Sequence, residues 1–465
     1  MVGNLPLVQR SHFVQFCSWD AANDLVALQR HLHERGKRQD DDVVPYWNRY
    51  TNDRDKENEL TLVANNLSVP SRCYGYGGGE YMTRRYDHLN DKPVPFHYDI
   101  LPHWKAFAEQ QKNRKELVLF KIDKITIPPS PFFEKKMLPM LKKNTNLVTL
   151  ELKKCNLDAD DLAAVAKFLK NNTSLSTLDL SRNKINSPGA AKSLAKAFEK
   201  HEELRFVNLT DCKLGGYKNN TTVLSSILGG CTNLKKLILD YNRIGRGKED
   251  VKLVTDFVAT NTSVTVLSLV GNEIGNDHDA RLSKALKKND KIQQLRLGAN
   301  GIALPKRLFG SKRVTENLTH LDLNRNNIRT TGAKLIAKYL KGNPTVVKLN
   351  LGGNRIPHAA AKDLVEALKQ NTNLESLELW KNLFNNKSVP DFVDLLKNNT
   401  TLLRLDLSNN NIKLDKSRGL TGKKELIHNA IFDTTSLDTI ANSNHTCQLI
   451  LTAGKFRNDI TNEGK

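Results

Sequence analysis

The amino-acid sequence predicts an α/β solenoid, a stack of repeated units in which short parallel strands alternate with helices. Three observations support this fold class. One apolar pattern recurs at intervals of 26 to 30 residues. Each unit combines a strand-like alternation with a helix-like spacing. A unit of this length cannot bury its own apolar face, so neighbours must stack. The pattern begins at Leu147, Leu175, Leu204, Leu234, Val264, Ile292, Leu318, Val346, Leu374 and Leu402.

The first half of each unit carries the strand. Apolar residues occupy positions 1, 4, 6 and 11, and in the first full unit Leu150 and Leu152 alternate with polar residues. This alternation is typical of a short strand with one buried face. Position 9 is Asn or Cys, where the chain must turn and a small polar group can satisfy exposed backbone groups. We therefore assign a structural role to Cys155, Asn183, Cys212, Asn242, Asn272, Asn300, Asn326, Asn354, Asn382 and Asn410.

The second half of each unit carries the helix. Residues 158–169 have an acidic start and apolar residues at helical spacing. The next helix opens at Ser187 and Pro188, a capping residue followed by a proline in the first turn. Further helical segments are predicted at 251–258, 282–286, 333–340, 359–368 and 389–396.

These phrases resemble leucine-rich repeats of the ribonuclease-inhibitor type, and the resemblance covers residues 115–412. It implies a horseshoe-shaped solenoid with a parallel β-sheet on the concave side and helices on the convex side. The family includes inhibitors, innate-immune sensors, GTPase activators and cytoskeletal or ciliary adaptors, so the fold alone does not select a function.

Both ends depart from the repeat. We predict an aromatic-rich N-terminal region and cap over residues 1–114, since 14 of the 30 aromatic residues lie before residue 111. One helix is predicted there, from about Asp20 to Arg35. Residues 413–465 are predicted to form a C-terminal cap and tail, with a helix around 424–432 and a degenerate echo of the repeat at Leu437 and Ile440, before the apolar residues 447–451.

Several function classes are disfavoured. No basic-then-apolar leader and no long apolar stretch is present, which predicts an intracellular protein without a membrane span, cytoplasmic rather than nuclear. The six cysteines lack metal-site spacing and the twelve histidines are scattered. The glycine run at 74–79 lacks the flanking strand and helix of a phosphate cradle. We therefore predict no metal, no cofactor and no enzymatic activity.

Charge is concentrated in the repeats. The chain has a formal net charge of +21, and residues 111–412 hold 50 Lys and Arg against 29 Asp and Glu. Lysine mostly falls on the predicted convex helices, where a solvated surface is the ordinary explanation. The alternative is attraction of acidic partners, including nucleic acid.

The resemblance implies that positions 3, 5, 7 and 8 line the concave surface. Trp380 is the only tryptophan outside the N-terminal region, and large aromatics at such places anchor partners, although packing against a neighbouring repeat is the alternative. The acidic residues at position 5 either receive cations from a partner or pair with cations nearby, and we favour pairing. The candidate partner-binding residues are Phe206, Tyr241, Arg182, Arg296, Asp322, Arg325, Glu378, Trp380 and Lys381.

Three functional hypotheses follow. The leading one is a scaffold that binds a protein partner of unknown identity through the concave face. The second is a nucleic-acid- or assembly-associated module that uses the basic convex surface, although aromatics suited to single-stranded RNA are sparse in the repeats. The third is a Ran-activator-like GTPase-activating protein, with Arg182 or Arg325 contacting the nucleotide site. Those activators typically end in a strongly acidic tail, whereas residues 413–465 hold 8 basic and 6 acidic residues. The sequence does not set the oligomeric state.

Overall fold

A computed structural model describes residues 59–63, 96, 98, 101–111, 117–216, 220–276, 278–306, 308–309, 316–342, 344–412 and 447–451. The chain divides into two compact units, residues 1–212 and 213–465. We call them unit 1 and unit 2 and describe each by itself. The predicted helices at 20–35 and 424–432 and the glycine run at 74–79 lie outside the described residues.

The strands of unit 1 are all parallel and follow chain order. They are β1 (Glu59–Val63), β2 (Leu119–Asp123), β3 (Thr149–Lys153), β4 (Thr177–Asp179) and β5 (Phe206–Asn208). The register aligns position 4 of successive repeats, so that Leu150 lies beside Phe120 on one side and Leu178 on the other. Strand β1 was not predicted, because the residues before it have the composition of a loop.

The strands of unit 2 are also parallel and follow chain order. Its strands are β6 (Lys236–Ile238), β7 (Val266–Ser268), β8 (Gln294–Arg296), β9 (His320–Asp322), β10 (Lys348–Asn350), β11 (Ser376–Glu378), β12 (Arg404–Asp406) and β13 (Gln448–Ile450). Strand β13 lies within residues 447–451, with Leu449 beside Leu405. The predicted echo of the repeat at Leu437 and Ile440 lies outside the described residues.

Helices alternate with the strands in both units. Unit 1 contains α1 (Leu101–Gln111), α2 (Leu138–Lys142), α3 (Ala159–Leu169) and α4 (Pro188–Lys200). Unit 2 contains α5 (Thr221–Gly230), α6 (Lys248–Thr260), α7 (Asp279–Leu286), α8 (Thr330–Lys341), α9 (Ala361–Lys369) and α10 (Val389–Asn398). The predicted cap at Ser187 is present, since its side chain accepts a hydrogen bond from the Ala190 N–H. Helices α1 and α5 were not predicted.

The core of each unit lies between its sheet and its helices. Leu150, Leu152, Leu178 and Leu180 are fully buried, as the alternation predicts. Each such side chain contributes about 1.5–3 kcal/mol relative to an exposed position. The predicted α/β alternation of parallel strands and helices is therefore confirmed.

The residues at position 9 form a hydrogen-bonded ladder under the turns. Asn183 Nδ2 donates to the carbonyls of Leu152 at 2.6 Å and Leu180 at 2.9 Å, while its Oδ1 accepts from the Cys155 N–H at 3.0 Å. The cysteines occupy the same slot, and Cys155 Sγ lies 3.4 Å from the Ile122 carbonyl. The ladder thus links each repeat to the one before it with side-chain bonds to backbone groups.

A second asparagine ladder, which was not predicted from the sequence, closes the turns between helices and strands. Asn261 Oδ1 accepts from the N–H groups of Ser263 at 3.0 Å and Val264 at 2.8 Å. Asn172, Asn289, Asn371 and Asn399 make the matching pair of bonds in their own turns. In one repeat of unit 1 a histidine takes this place, with His201 Nδ1 accepting from the Leu204 N–H at 3.1 Å.

Candidate functional site

Each sheet turns one surface away from its core, and we call it the open face of that unit. It is formed by positions 3 and 5 of each strand and by positions 7 and 8 just beyond it. Position 8 adopts the left-handed backbone region, with φ of 62° at Arg182, 57° at Tyr241, 50° at Arg325 and 51° at Lys381. A β-branched residue is strongly disfavoured there, and the repeats place none at this position.

The open face of unit 1 neutralises its own charges. Lys153 Nζ lies 3.0 Å from Glu151 Oε2 and 3.4 Å from Asp179 Oδ2, and Lys121 Nζ lies 3.3 Å from the same Glu151 oxygen. Asn208 Nδ2 donates to Asp179 at 2.8 Å. Burial opposes ionisation of Glu151, but the two lysines outweigh it and lower the pKa overall. The pairing expected from the sequence is therefore present in this unit.

Two of the candidate residues belong to unit 1. Phe206 is half-buried at position 3 of β5, and Arg182 is half-buried at position 8 after β4. The other seven candidates lie in unit 2. The candidate set therefore divides between the units.

The open face of unit 2 carries an oxygen-rich row. The strand register places Asp322 beside Asn350, Asn350 beside Glu378, and Glu378 beside Asp406. Unlike Lys153 in unit 1, no cation occupies position 7 in unit 2. Position 7 there is Asp240, Val270, Gly298, Asn324, Gly352, Trp380 and Ser408.

Two aspartates of this face lie in an environment that disfavours their charge. Burial raises the pKa of Asp322, the carboxylates of Glu378 and Asp240 raise it further, and Arg296 opposes the rise. The Asp322 carboxylate accepts hydrogen bonds from the backbone and side chain of Asn324 at 2.9 and 3.1 Å. These bonds and the Arg296 charge do not fully offset the cost of burial.

Asp240 behaves in the same way. Its Oδ1 accepts from Ser268 Oγ at 2.6 Å and from the Val270 N–H at 2.9 Å. Burial still raises its pKa, against the opposing charge of Arg296. Arg296 itself is exposed, so its guanidinium is accessible from solvent.

Trp380 forms an aromatic platform on this face. Its indole ring lies flat on the backbone of the preceding repeat, where a Cβ added at Gly352 would collide with it. Its Nε1 donates to Glu378 Oε2 at 3.2 Å, and the Arg325 guanidinium carbon lies 5.4 Å from the ring centroid. The ring is half-buried. Trp380 therefore packs on a neighbouring repeat and also presents an accessible surface. Both roles considered from the sequence, packing between repeats and contact with a partner, are compatible with this position.

Tyr241 packs its ring against a glycine in the same way elsewhere in unit 2. A Cβ at Gly271 would collide with the Tyr241 ring, just as one at Gly352 would with Trp380. We call these two glycines seats, because each accommodates an aromatic ring of another repeat that a side chain at the same position would displace.

The described part of the chain was also compared with the requirements of a cysteine nucleophile, a metal site and a membrane-spanning helix, and it meets none of them. Cys155, Cys212, Cys231 and Cys447 are buried, and burial raises the pKa of Cys231 to about 12, which leaves too little thiolate for a nucleophile. No set of three or more His, Cys, Asp or Glu side chains is placed to hold a metal ion within the described residues. Over the same residues, every helix is too short or too polar to cross a bilayer.

A family model described as "Leucine Rich repeat" matches residues 143–166, 171–192, 260–277, 316–337 and 398–415. The fold is a leucine-rich repeat solenoid. Proteins with such repeats generally act in protein–protein interaction. The ribonuclease-inhibitor type stays a prediction. No curated protein matches the sequence.

Two bacterial proteins are among the solved structures similar to this chain. An internalin from Listeria monocytogenes is 20% identical, with a TM-score of 0.39 over 64% of this chain and 76% of the internalin. The leucine-rich repeat-containing protein LegL7 from Legionella pneumophila is 18% identical, with a TM-score of 0.42 over 63% of this chain and 89% of its own.

Proposed function

We propose that this protein is a non-enzymatic interaction module that binds a protein partner through the open face of unit 2. The Trp380 platform is the observation that carries the proposal. The indole is held by the Gly352 seat, by the 3.2 Å bond to Glu378 and by the stacked Arg325 guanidinium, yet part of it remains accessible. Trp and Arg are the residue types most often responsible for interface affinity. A ring that is already fixed loses little entropy when a partner covers it.

Charge on the same face supports the proposal. In unit 1 lysines offset the position-5 carboxylates at 3.0 to 3.4 Å, whereas in unit 2 the pKa values of Asp322 and Asp240 are raised. A cationic group supplied by a partner would stabilise the charged form of both buried carboxylates and lower their pKa values. That stabilisation would favour binding of the partner. Tyr241, Arg296 and Lys381 complete the proposed surface on unit 2.

Affinity capture from native cells, with variants of the full chain, tests this function. We expect Trp380→Ala combined with Arg325→Ala to reduce recovery of the specific protein partner about tenfold or more, because a hot-spot truncation costs about 2 kcal/mol. Trp380→Phe keeps a ring on Gly352 and is expected to retain most of the recovery. Capture is run at low and moderate salt, with and without ribonuclease.

The matched control is Lys387→Ala combined with Lys397→Ala, two exposed side chains of unit 2 away from the open face. It should leave recovery unchanged. Equal recovery by wild type and by the Trp380 and Arg325 double variant would contradict binding at this face.

A further inference from the structure

Four residues on the open face of unit 2 bring two carboxylates and an aromatic ring together. Asp322, Asn350 and Glu378 occupy position 5 of β9, β10 and β11, and the strand register places the two acids on either side of the asparagine. Because neighbouring strands lie about 4.8 Å apart, the two acids are about 10 Å apart at Cα. The Trp380 ring lies on Gly352, which belongs to the same repeat as Asn350. We call Asp322, Asn350, Glu378 and Trp380 the acidic–aromatic cluster.

The turn that follows each strand explains aspartate and asparagine at position 5, but it does not explain Glu378. The Asp322 carboxylate accepts a hydrogen bond from the Asn324 N–H at 2.9 Å, and the aspartates and asparagines of four other repeats accept the same bond. Glu378 is one methylene longer, and its carboxylate accepts from the Trp380 indole instead. Its charge on the open face therefore has no role in closing the turn.

The other glutamate at position 5 has cationic partners. In unit 1, the Glu151 carboxylate lies 3.0 and 3.3 Å from the Nζ atoms of two lysines. Across the described part of the chain, no lysine or arginine forms an ion pair with Glu378 or Asp322. Burial raises the pKa of Asp322 and the Glu378 carboxylate adds to the rise, although Arg296 opposes it. The cluster thus lacks the paired cations that Glu151 has in unit 1.

Two cations of unit 2 lie near the cluster in the strand register. Arg296 is beside Asp322, and Lys348 is two residues before Asn350 on β10. Both side chains are exposed, and neither forms an ion pair among the residues that the structure describes. Since exposed pairs contribute about 1 kcal/mol or less, these two cations leave the cluster open to one supplied by a partner.

We propose that the acidic–aromatic cluster binds an arginine side chain of the protein partner, an inference that rests on the function proposed above. A guanidinium is planar and carries five N–H donors, so it can donate to two carboxylates and stack on an indole at the same time. The chain itself contains the stacking contact, since the Arg325 guanidinium carbon lies 5.4 Å from the Trp380 ring centroid. The ammonium of lysine is a compact, strongly hydrated point charge and lacks this planar geometry. An acidic segment of a partner would be repelled by both carboxylates.

Nuclear magnetic resonance of the full chain tests the proposal, with the tripeptide N-acetyl-Ala-Arg-Ala-amide as the probe. The Trp380 indole N–H donates to Glu378, so its signal reports on the cluster, and Trp380→Phe assigns the signal by removing it. We expect a saturable shift of this signal at millimolar peptide, because a few charge-assisted bonds form at a solvated surface. The matching lysine tripeptide should bind about tenfold more weakly, and the glutamate tripeptide should cause no shift.

Isosteric variants of the two acids locate the binding. Asp322→Asn combined with Glu378→Gln should weaken binding of the arginine tripeptide about tenfold or more and remove its advantage over lysine. Asparagine already occupies position 5 in Asn350, and the glutamine oxygen still accepts from the indole. The matched control is Glu316→Gln combined with Glu375→Gln, two exposed acids of unit 2 with the same change in net charge, and it should bind as the wild type does. If thermal unfolding shows that the double variant is not folded, Glu378→Gln alone gives the answer with the same expected direction.

Three results would overturn the arginine assignment: no shift of the Trp380 signal, equal affinities for the arginine and lysine tripeptides, or equal weakening in the control variant. Partner capture keeps this failure apart from failure of the proposed function. If capture depends on Trp380 and Arg325 but the arginine tripeptide does not bind, the open face still binds the partner and the arginine assignment is wrong. If the tripeptide binds at the cluster while capture is indifferent to Trp380 and Arg325, the arginine site stands and the proposed function fails.

Discussion

Removal of one side chain from the position-9 ladder should destabilise unit 2 by a predictable amount. Asn382 Oδ1 accepts from the N–H groups of Asn354 at 3.1 Å and Ile356 at 2.9 Å. Its Nδ2 donates to the carbonyls of Leu351 at 3.0 Å and Leu379 at 2.9 Å. Asn382→Ala removes these four bonds, and a longer one from Nδ2 to the Trp380 carbonyl at 3.4 Å, at a site where Asn382 is only 5% exposed, so water does not readily replace them.

The loss of these four bonds does not cost the same free energy at each backbone group. The Leu351 carbonyl also accepts from Asn354 Nδ2 at 3.0 Å, and the Leu379 carbonyl also accepts from Asn410 Nδ2 at 2.9 Å. Both carbonyls therefore keep a donor in the variant. The N–H groups of Asn354 and Ile356 keep none among the bonds described above, and a buried unsatisfied group costs about 1–3 kcal/mol. We expect a loss of about 2–6 kcal/mol in the free energy of unfolding.

Chemical denaturation measures the loss, and hydrogen exchange locates it. The amides of Asn354 and Ile356 should lose protection in Asn382→Ala, while amides of unit 1 keep theirs. Asn382→Cys is the matched control, because the chain itself uses Cys155 and Cys212 in this slot, with Sγ 3.3–3.4 Å from backbone carbonyls. It should cost clearly less than alanine. Unchanged protection at both amides, or a loss below about 1 kcal/mol, would refute this account of the ladder.

Three further predictions concern other sites. Gly352→Ala should displace the Trp380 ring, with a changed near-ultraviolet circular dichroism spectrum and weakened partner capture, whereas Gly229→Ala, which meets no neighbour, should change neither. Burial raises the pKa of Asp161 to about 7, so the stability of the folded chain should fall as pH rises from about 4 through 7. Asp161→Asn should raise the free energy of unfolding at pH 8 by about 2 kcal/mol. It should also make the melting temperature depend less on pH between about 4 and 7. Burial lowers the pKa of His201 below its ordinary 6.5, so stability should fall as pH drops below 6.5, and His201→Asn, the residue of the matching turns, should remove that part of the pH dependence of melting.

Apolar periodicity was sufficient to predict most of the fold. The position-4 and position-6 leucines alternate in sequence and are buried in the structure, so each strand was readable from a few residues. Strand β1 carries the same signal in Leu60 and Leu62, which align with Phe120 and Ile122, but it has no complete repeat around it, so no strand was predicted there. Helix α5 was missed although its apolar residues recur at helical spacing.

The site was less predictable, because it depends on contacts between repeats. Trp380 was singled out as an isolated tryptophan, but the stacking of Arg325 on it joins residues from two different repeats across the Gly352 seat. Such contacts depend on side-chain rotamers and on how closely the backbones of neighbouring repeats approach, and the sequence of one repeat predicts neither. Pairing of acids and cations was expected throughout. In unit 1 Lys153 at position 7 pairs with two carboxylates, whereas position 7 carries no cation in unit 2, where Asp406 pairs instead with Arg404 at 3.9 Å.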